Sequence, residues 1–188
     1  MQQRRERDRA KRQELIVRTA RELAEAEGWD AVTTRRLSER IEYSQPVLYS
    51  HFANKDAIVA AVAEQGFAEL ATALGAARRK EVERYDLLRA VADAYLAFAE
   101  ANPALYDAMF TLDVGLRFAQ PDSPPALREG FDQLVATFDA LVEDPAEIGT
   151  FTEVAWAALH GLAMLTRDGR LSEGHHDARV DLLITRLL

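Results

Sequence analysis

Apolar residues recur at helical spacing along nearly the whole chain. From Ala10 to Glu27, the residues Leu15, Ile16, Ala20, Leu23 and Ala24 fall on one face of a 3.6-residue period. Gly28 follows as a natural C-terminal stop. Thr33 is placed to cap a second helix running to about Ile41, with Leu37 and Ile41 facing inward. After Glu42 and Tyr43, Ser44 caps a third, short helix. It carries Pro46 in its first turn, where a missing N–H costs nothing, and ends near His51–Phe52. Asn54 is placed to cap a long fourth helix toward Arg79. Further helices are predicted over 84–101, 104–113, 126–142, 146–167 and 177–188. They are broken at Asn102–Pro103, Pro121–Pro125, Asp144–Pro145 and Asp168–Gly174. No segment alternates with period two in β-branched residues, so no strand is predicted. The fold class is all-α, with about nine helices, no internal repeat, and one longer loop at about 113–125.

Composition narrows this picture. Of 188 residues, 48% are apolar and 29% charged, enough apolar material for a core and too much for a disordered chain. That length suits one domain, or two small ones sharing a core. There is no cysteine, hence no disulfide framework, thiolate metal site or thiol nucleophile, which suits a reducing cytoplasm. The basic N-terminus is not followed by an apolar run, so no secretory signal is expected. The longest apolar stretch, Ala57 to Ala77, is broken by Glu64, Gln65 and Glu69. No membrane span is expected, and a soluble, cytoplasmic protein is.

The formal charge of −8 argues at first against nucleic acid, because phosphate needs cations. Its distribution reverses the argument. Residues 1–57 carry a net +2 and residues 58–188 a net −10, and the first twelve residues hold six basic and two acidic side chains. Such asymmetry hints at a nucleic-acid surface; a solvated helix start explains the basic tip equally well. The expected division is a head at 1–57 and an acidic body at 58–188.

The most informative stretch is Thr33–Asp56, TTRRLSERIEYSQPVLYSHFANKD. Two short helices separated by three residues make helix-turn-helix spacing, in which the second helix can enter a major groove. Its outward residues are small or polar, so the backbone can approach base edges. Phe52 is expected to be core, and Tyr49 to pack its ring with the hydroxyl left for phosphate. His51 is either a phosphate contact or a plain surface residue, and Arg36 and Arg40 either contacts or a solvated face.

These residues resemble the DNA-binding domain of the tetracycline-repressor family of bacterial regulators. The resemblance rests on Thr33-Thr34-Arg35, Leu37, Ser44-Gln45-Pro46, Leu48-Tyr49, His51-Phe52 and Lys55-Asp56, with Gly28-Trp29-Asp30 upstream. It covers roughly residues 10–62. It implies a homodimer whose third helices read two half-sites of a pseudo-palindromic operator. By position, Arg35 and Gln45 become the base readers, and Pro46 and Val47 contacts to thymine methyls. Ser44 joins this surface, and Thr34, Tyr49, His51 and Lys55 become phosphate clamps. Lys55 lies at a helix start whose free amides attract phosphate. The basic tip, Arg4 to Arg12, is expected to follow a minor groove or the backbone, or to be disordered without DNA. Glu42 departs from the family, which has glycine at this turn. It must adopt a left-handed backbone at a cost of ~1 kcal/mol or avoid it, and it brings negative charge near phosphates.

The body beyond residue 58 is then the regulatory and dimerisation domain. Family likeness puts a cavity for a small-molecule effector among its central helices, with Tyr95, Phe98, Tyr106, Met109, Phe110, Phe131, Phe138, Trp156 and His160 as candidate lining. Each is otherwise an ordinary core residue. Trp156…His160-Gly161 is similar to a signature in one branch of the family's C-terminal domains. His160 is a core histidine or a pocket residue. The last two helices are amphipathic through Phe151, Ala155, Leu159 and Leu162, and through Val180, Leu183, Ile184 and Leu187. Paired across a two-fold axis they would form a four-helix bundle. The adjacent His175 and His176 point about 100° apart, a poor metal pair. No catalytic residue, metal or cofactor is expected. The competing reading is a helical carrier or enzyme that reuses the bundle without binding an operator.

Overall fold

The computed structural model describes residues 1–80, 83–118, 120 and 123–187, the side chains of Ala140 and Leu187 excepted. Among these residues there are nine α-helices and no strand: α1 Gln2–Glu27, α2 Thr34–Arg40, α3 Gln45–Tyr49, α4 Lys55–Arg78, α5 Arg84–Ala101, α6 Pro103–Phe110, α7 Pro125–Phe138, α8 Ile148–Arg167 and α9 His176–Leu187. The all-α reading holds. Part of the 113–125 loop, including Pro121, and the last residue of the final predicted helix, Leu188, lie outside the described residues.

The chain packs as two compact units, Met1–Gly66 with Asn102–Ser123, and Phe67–Ala101 with Pro124–Leu188. These units follow packing, and they assign α6 to the first unit rather than to the acidic body.

In the first unit, α1 supplies Ile16, Val17, Ala20, Leu23 and Ala24 to a core shared with Val32, Leu37, Leu48, Ile58 and Val62. The helix begins at Gln2 instead of Ala10, so the basic tip is helix and not a trailing arm. The reason is local. Its first turns hold good helix formers and no Gly or Pro, and Arg4 pairs with Asp8 one turn on at 4.0 Å. Gly28 ends the helix at φ 82°, with its N–H on the Ala24 carbonyl at 2.7 Å. Trp29 then donates its indole N–H to the Ala104 carbonyl at 2.7 Å. The Glu25 carboxylate accepts from the N–H groups of Ala104 and Leu105, at 3.0 and 2.9 Å, and so caps α6. Gly66 lets α4 approach α6: a Cβ there would stand 2.6 Å from Met109 Sδ and 2.8 Å from Leu105 Cδ1.

In the second unit, α5 packs against α7, α8 and α9. Tyr95 is fully buried, and its hydroxyl accepts from Trp156 Nε1 at 2.9 Å. Arg89 ties α5 to α9 through Asp177 and Asp181, each at 2.6 Å, and also bonds Asp93 at 2.8 Å. Tyr85 donates to Asp181 at 2.7 Å, and this bond, followed by Arg89, holds the Asp181 carboxyl below its usual range.

Two helix ends shift inward from the predicted spans. α7 stops at Phe138 and tightens into a 3₁₀ turn at Asp139–Leu141. α8 starts at Ile148 because Asp144 holds the preceding turn, its carboxylate accepting from Ala146 N at 2.9 Å. Contrary to the sequence expectation, α4 and α8 are long and apolar enough to cross a membrane, with mean hydropathies of 1.4 and 1.2. Half of the α4 window is buried in the fold, against only 17% for α8.

Candidate nucleic-acid interface

The helix-turn-helix forms as the spacing requires. Thr33 caps α2, its hydroxyl accepting from Arg36 N at 3.2 Å. Asn54 caps α4 by accepting from Ala57 N at 2.8 Å. Ser44 begins α3 but makes no side-chain cap bond, so the helix starts on its backbone carbonyl, which accepts from Val47 and Leu48. Leu48 is completely buried and pins α3, while Ser44, Gln45, Pro46, Val47 and Tyr49 all face out. One anchored residue among five exposed ones gives a short helix with a free reading face. Phe52 is half-buried.

Glu42 does adopt the left-handed backbone, at φ 57°. Tyr43 N bonds the Ser38 carbonyl at 3.0 Å across it, the closing bond of a Schellman-type helix end. Nothing in this geometry relieves the Cβ strain. Glu42→Gly is therefore expected to raise the unfolding free energy by about 0.5–1 kcal/mol, strain relief outweighing the greater chain entropy of glycine. Glu42→Gln should change nothing. Urea denaturation of both variants checks this.

The predicted contacts are differently occupied. Arg35 is exposed and bonds Glu39 at 2.9 Å, within α2. Arg36 makes a two-pronged pair with Glu27, at 2.9 and 2.8 Å, which fastens α2 to the end of α1 and explains this arginine structurally. Tyr49 and Thr34 lie with their hydroxyl oxygens 3.5 Å apart, bringing two predicted phosphate contacts to one edge. Lys55 donates to the Trp29 carbonyl at 2.7 Å, a tie the sequence does not foretell. Its ammonium keeps two further donors. His51 is half-buried, and its Nδ1 is buried without a hydrogen-bond partner. Burial, then the charges of Arg9 and Arg12, push this imidazole below its ordinary pKa. Arg5, Asp8, Arg9 and Arg12 of α1 line one open hollow with Ser50 and His51. The sequence places Arg4 to Arg12 along DNA but does not foretell that Arg5, Arg9 and Arg12, at i, i+4 and i+7, share a hollow with His51.

The nine candidate pocket residues do not share one unit. Tyr106, Met109 and Phe110 lie on α6 in the first, where Tyr106 packs on Phe110 with ring centroids 4.7 Å apart. Tyr95, Phe98, Phe131, Phe138, Trp156 and His160 lie in the second. Burial, then the charge of Arg167, pushes the His160 pKa down. Its ring centroid is 6.5 Å from that of Trp156.

The interface candidates need correction. Ala155, Leu159, Val180 and Ile184 are at most 3% exposed, and they form the interior of the second unit. Leu159, Leu183 and Ile184 border a crevice with Leu88, Val91, Ala92 and Phe138. Amphipathic spacing found the inward faces of α8 and α9, which serve this chain's own core. Phe151, Leu162 and Leu183 are half-buried, and the side chain of Leu187 lies outside the described residues. Among the described residues, the large apolar side chains left outside on these two helices are Val154, Leu165 and Leu182, 63%, 45% and 58% exposed.

Comparison with known proteins agrees with this geometry. The profile described as "Bacterial regulatory proteins, tetR family" matches residues 16–62, and "Tetracyclin repressor-like, C-terminal domain" matches residues 88–188. An uncharacterised HTH-type transcriptional regulator of Mycobacterium tuberculosis is 26% identical over 177 residues, 93% of this chain and 78% of the relative. The class C tetracycline repressor of Escherichia coli is 51% identical over 51 residues, 27% of this chain and 23% of that repressor. The chain therefore matches less than a quarter of that repressor's length. Among solved structures, a TetR variant from Acinetobacter baumannii in complex with minocycline has a TM-score of 0.65 at 21% identity, covering 92% of this chain and 91% of that one. At that identity the likeness is one of fold.

Proposed function

Because the chain belongs to the tetracycline-repressor family and is a DNA-binding transcription regulator, we propose that it represses transcription in the cytoplasm as a homodimer on a pseudo-palindromic operator, and that a small molecule controls it. The observation that carries this is α3: Leu48 is locked in the core, while Ser44, Gln45, Pro46, Val47 and Tyr49 stay exposed. A helix anchored by one residue and bare elsewhere suits insertion into a major groove. Residues 1–57 are assigned to DNA binding, and 58–188 to effector binding and dimerisation.

The exposed apolar stripe of α8, with Leu182 of α9, is assigned to a second copy of the chain. Val154, Ala158, Gly161 and Leu165 stand at i, i+4, i+7 and i+11, one helix face. A Cβ on Gly161 would meet nothing within 4 Å, so this face is open to a closely crossing helix. The minocycline complex of the Acinetobacter protein supports an organic effector. An effector that prefers one of two dimer conformations would shift the spacing of the recognition helices. The relatives are transcription regulators, and the protein is read as a regulator rather than an enzyme.

Selection of bound duplexes from a random-sequence library is the test. It should enrich a site with two inverted halves whose centres lie about one helical turn apart, or a multiple of it. Failure to enrich any sequence, at low as well as physiological salt, would leave the carrier or enzyme reading in its place.

A further inference from the structure

Trp29 is tied on two sides. It is only 9% exposed, and its indole N–H donates to the Ala104 carbonyl, near the start of α6, at 2.7 Å. Its own carbonyl accepts from Lys55 Nζ, at the start of α4, also at 2.7 Å. One residue thus stands between an expected phosphate contact and a helix that the sequence assigned to the acidic body. Two side chains of α1 fix the same end of α6. Glu25 accepts from the N–H groups of Ala104 and Leu105, and Arg21 donates to Asn102 Oδ1 at 2.9 Å. All of these residues lie in the first compact unit.

This arrangement bears on Lys55. A lysine side chain is long and flexible, and fixing it on a ligand costs entropy. The Trp29 carbonyl lowers that cost by holding the ammonium in place, with two donors left over. The same carbonyl accepts from Val32 N at 3.2 Å, so it belongs to the short 3₁₀ turn Trp29–Ala31. The indole bond pins that turn on α6. The ammonium is therefore placed by the turn, and the turn by α6.

We propose that Trp29 is a positioning residue for the Lys55 ammonium, and that through it the state of α6 sets how tightly the head holds DNA. The inference rests on the DNA-binding reading above and deepens its regulation. It is distinct from a change in spacing between two recognition helices. The link runs inside one chain and ends on a phosphate contact, so it acts on every DNA sequence alike. It is also reciprocal: DNA on Lys55 steadies the start of α6 as much as α6 steadies Lys55. α6 carries Tyr106, Met109 and Phe110, so a molecule that shifts this helix changes DNA affinity by this route.

A double-mutant cycle separates positioning from packing. Trp29→Phe keeps an aromatic ring in the core and removes the indole donor. Lys55→Gln removes the cation. Fluorescence anisotropy of the full chain with a labelled mixed-sequence duplex, at about 50 mM salt, gives the four affinities. Trp29→Phe should weaken the wild type about three- to tenfold, and Lys55→Gln by less than about twofold. Amide exchange gives the reverse reading. The N–H groups of Ala104 and Leu105 report the start of α6 directly, because both bond Glu25. Saturating duplex should slow their exchange about three- to tenfold in the wild type and leave it unchanged in Lys55→Gln. Equal losses from Trp29→Phe in both backgrounds overturn the proposal. So does exchange at Ala104 and Leu105 that the duplex does not slow, or slows as much in Lys55→Gln. If Trp29→Phe does not fold, the exchange comparison decides. A wild type that binds no duplex at all overturns the DNA-binding reading instead.

Discussion

Val154→Asp and Leu182→Asp are each expected to turn a dimer into a monomer that stays folded. Both side chains stand outside the second unit, 63% and 58% exposed, so an aspartate there disturbs little within one chain. In an isologous interface every substitution occurs twice. Losing the burial of one such side chain costs about 1.5–3 kcal/mol, so two copies cost roughly 3–6 kcal/mol. Dimer dissociation should then rise by a factor of about 10²–10⁴. Sedimentation equilibrium reads that change, and circular dichroism should show unaltered helix content and melting. Leu159→Asp supplies the contrast. At 3% exposure it stands against the crevice formed with α5, and it should unfold the second unit rather than split a dimer. Dimers that persist in both surface variants would place the interface elsewhere. Operator affinity should fall with the dimer, because two half-sites held together reinforce each other through effective concentration.

The same helices show what the sequence could and could not reveal. Ile148, Phe151, Ala155, Leu159 and Leu162 announce an amphipathic α8, and the helix is there. Periodicity cannot say which apolar stripe meets the chain's own core and which meets a partner, because both obey the 3.6-residue repeat. α8 has two such stripes, and the one through Ala155 and Leu159 faces inward. Local chemistry was more legible. Thr33, Gly28 and Asn54 cap or stop helices by rules that act within a few residues. Glu42 stood out only by departing from the glycine of the resembled family, and its backbone is left-handed. Long-range bonds left no such trace. Nothing near Lys55 foretells its bond to the Trp29 carbonyl 26 residues away, and nothing near Glu25 foretells that it caps α6. The hollow lined by α1 fell between these cases. Its arginine spacing was visible, but His51 lies outside any local window, and a helix beginning at Ala10 would have left Arg5 and Arg9 on a tail.

Gln45→Ala is expected to damage recognition of the selected operator far more than binding to a scrambled duplex. Gln45 is exposed in the first turn of α3, where a bidentate amide can meet adenine. Loss of such a pair should cost about 1–3 kcal/mol of discrimination at each half-site, and the dimer has two half-sites. Arg35→Ala should act in the same direction at a guanine. Its guanidinium is now held by Glu39 at 2.9 Å, but that pair is solvent-exposed and lies within one helix, so releasing it for a base edge costs little. Lys55→Ala should behave differently. A lysine that contacts phosphate contributes equally on every sequence, so both duplexes should weaken by the same factor. The bond to the Trp29 carbonyl adds a structural component, which Lys55→Met separates poorly but a melting curve separates well. Anisotropy titrations of the three variants against both duplexes give the ratios directly. Equal losses on both DNAs for all three would mean that neither Arg35 nor Gln45 reads a base. Specificity would then have to come from Pro46, Val47 or the shape of the DNA.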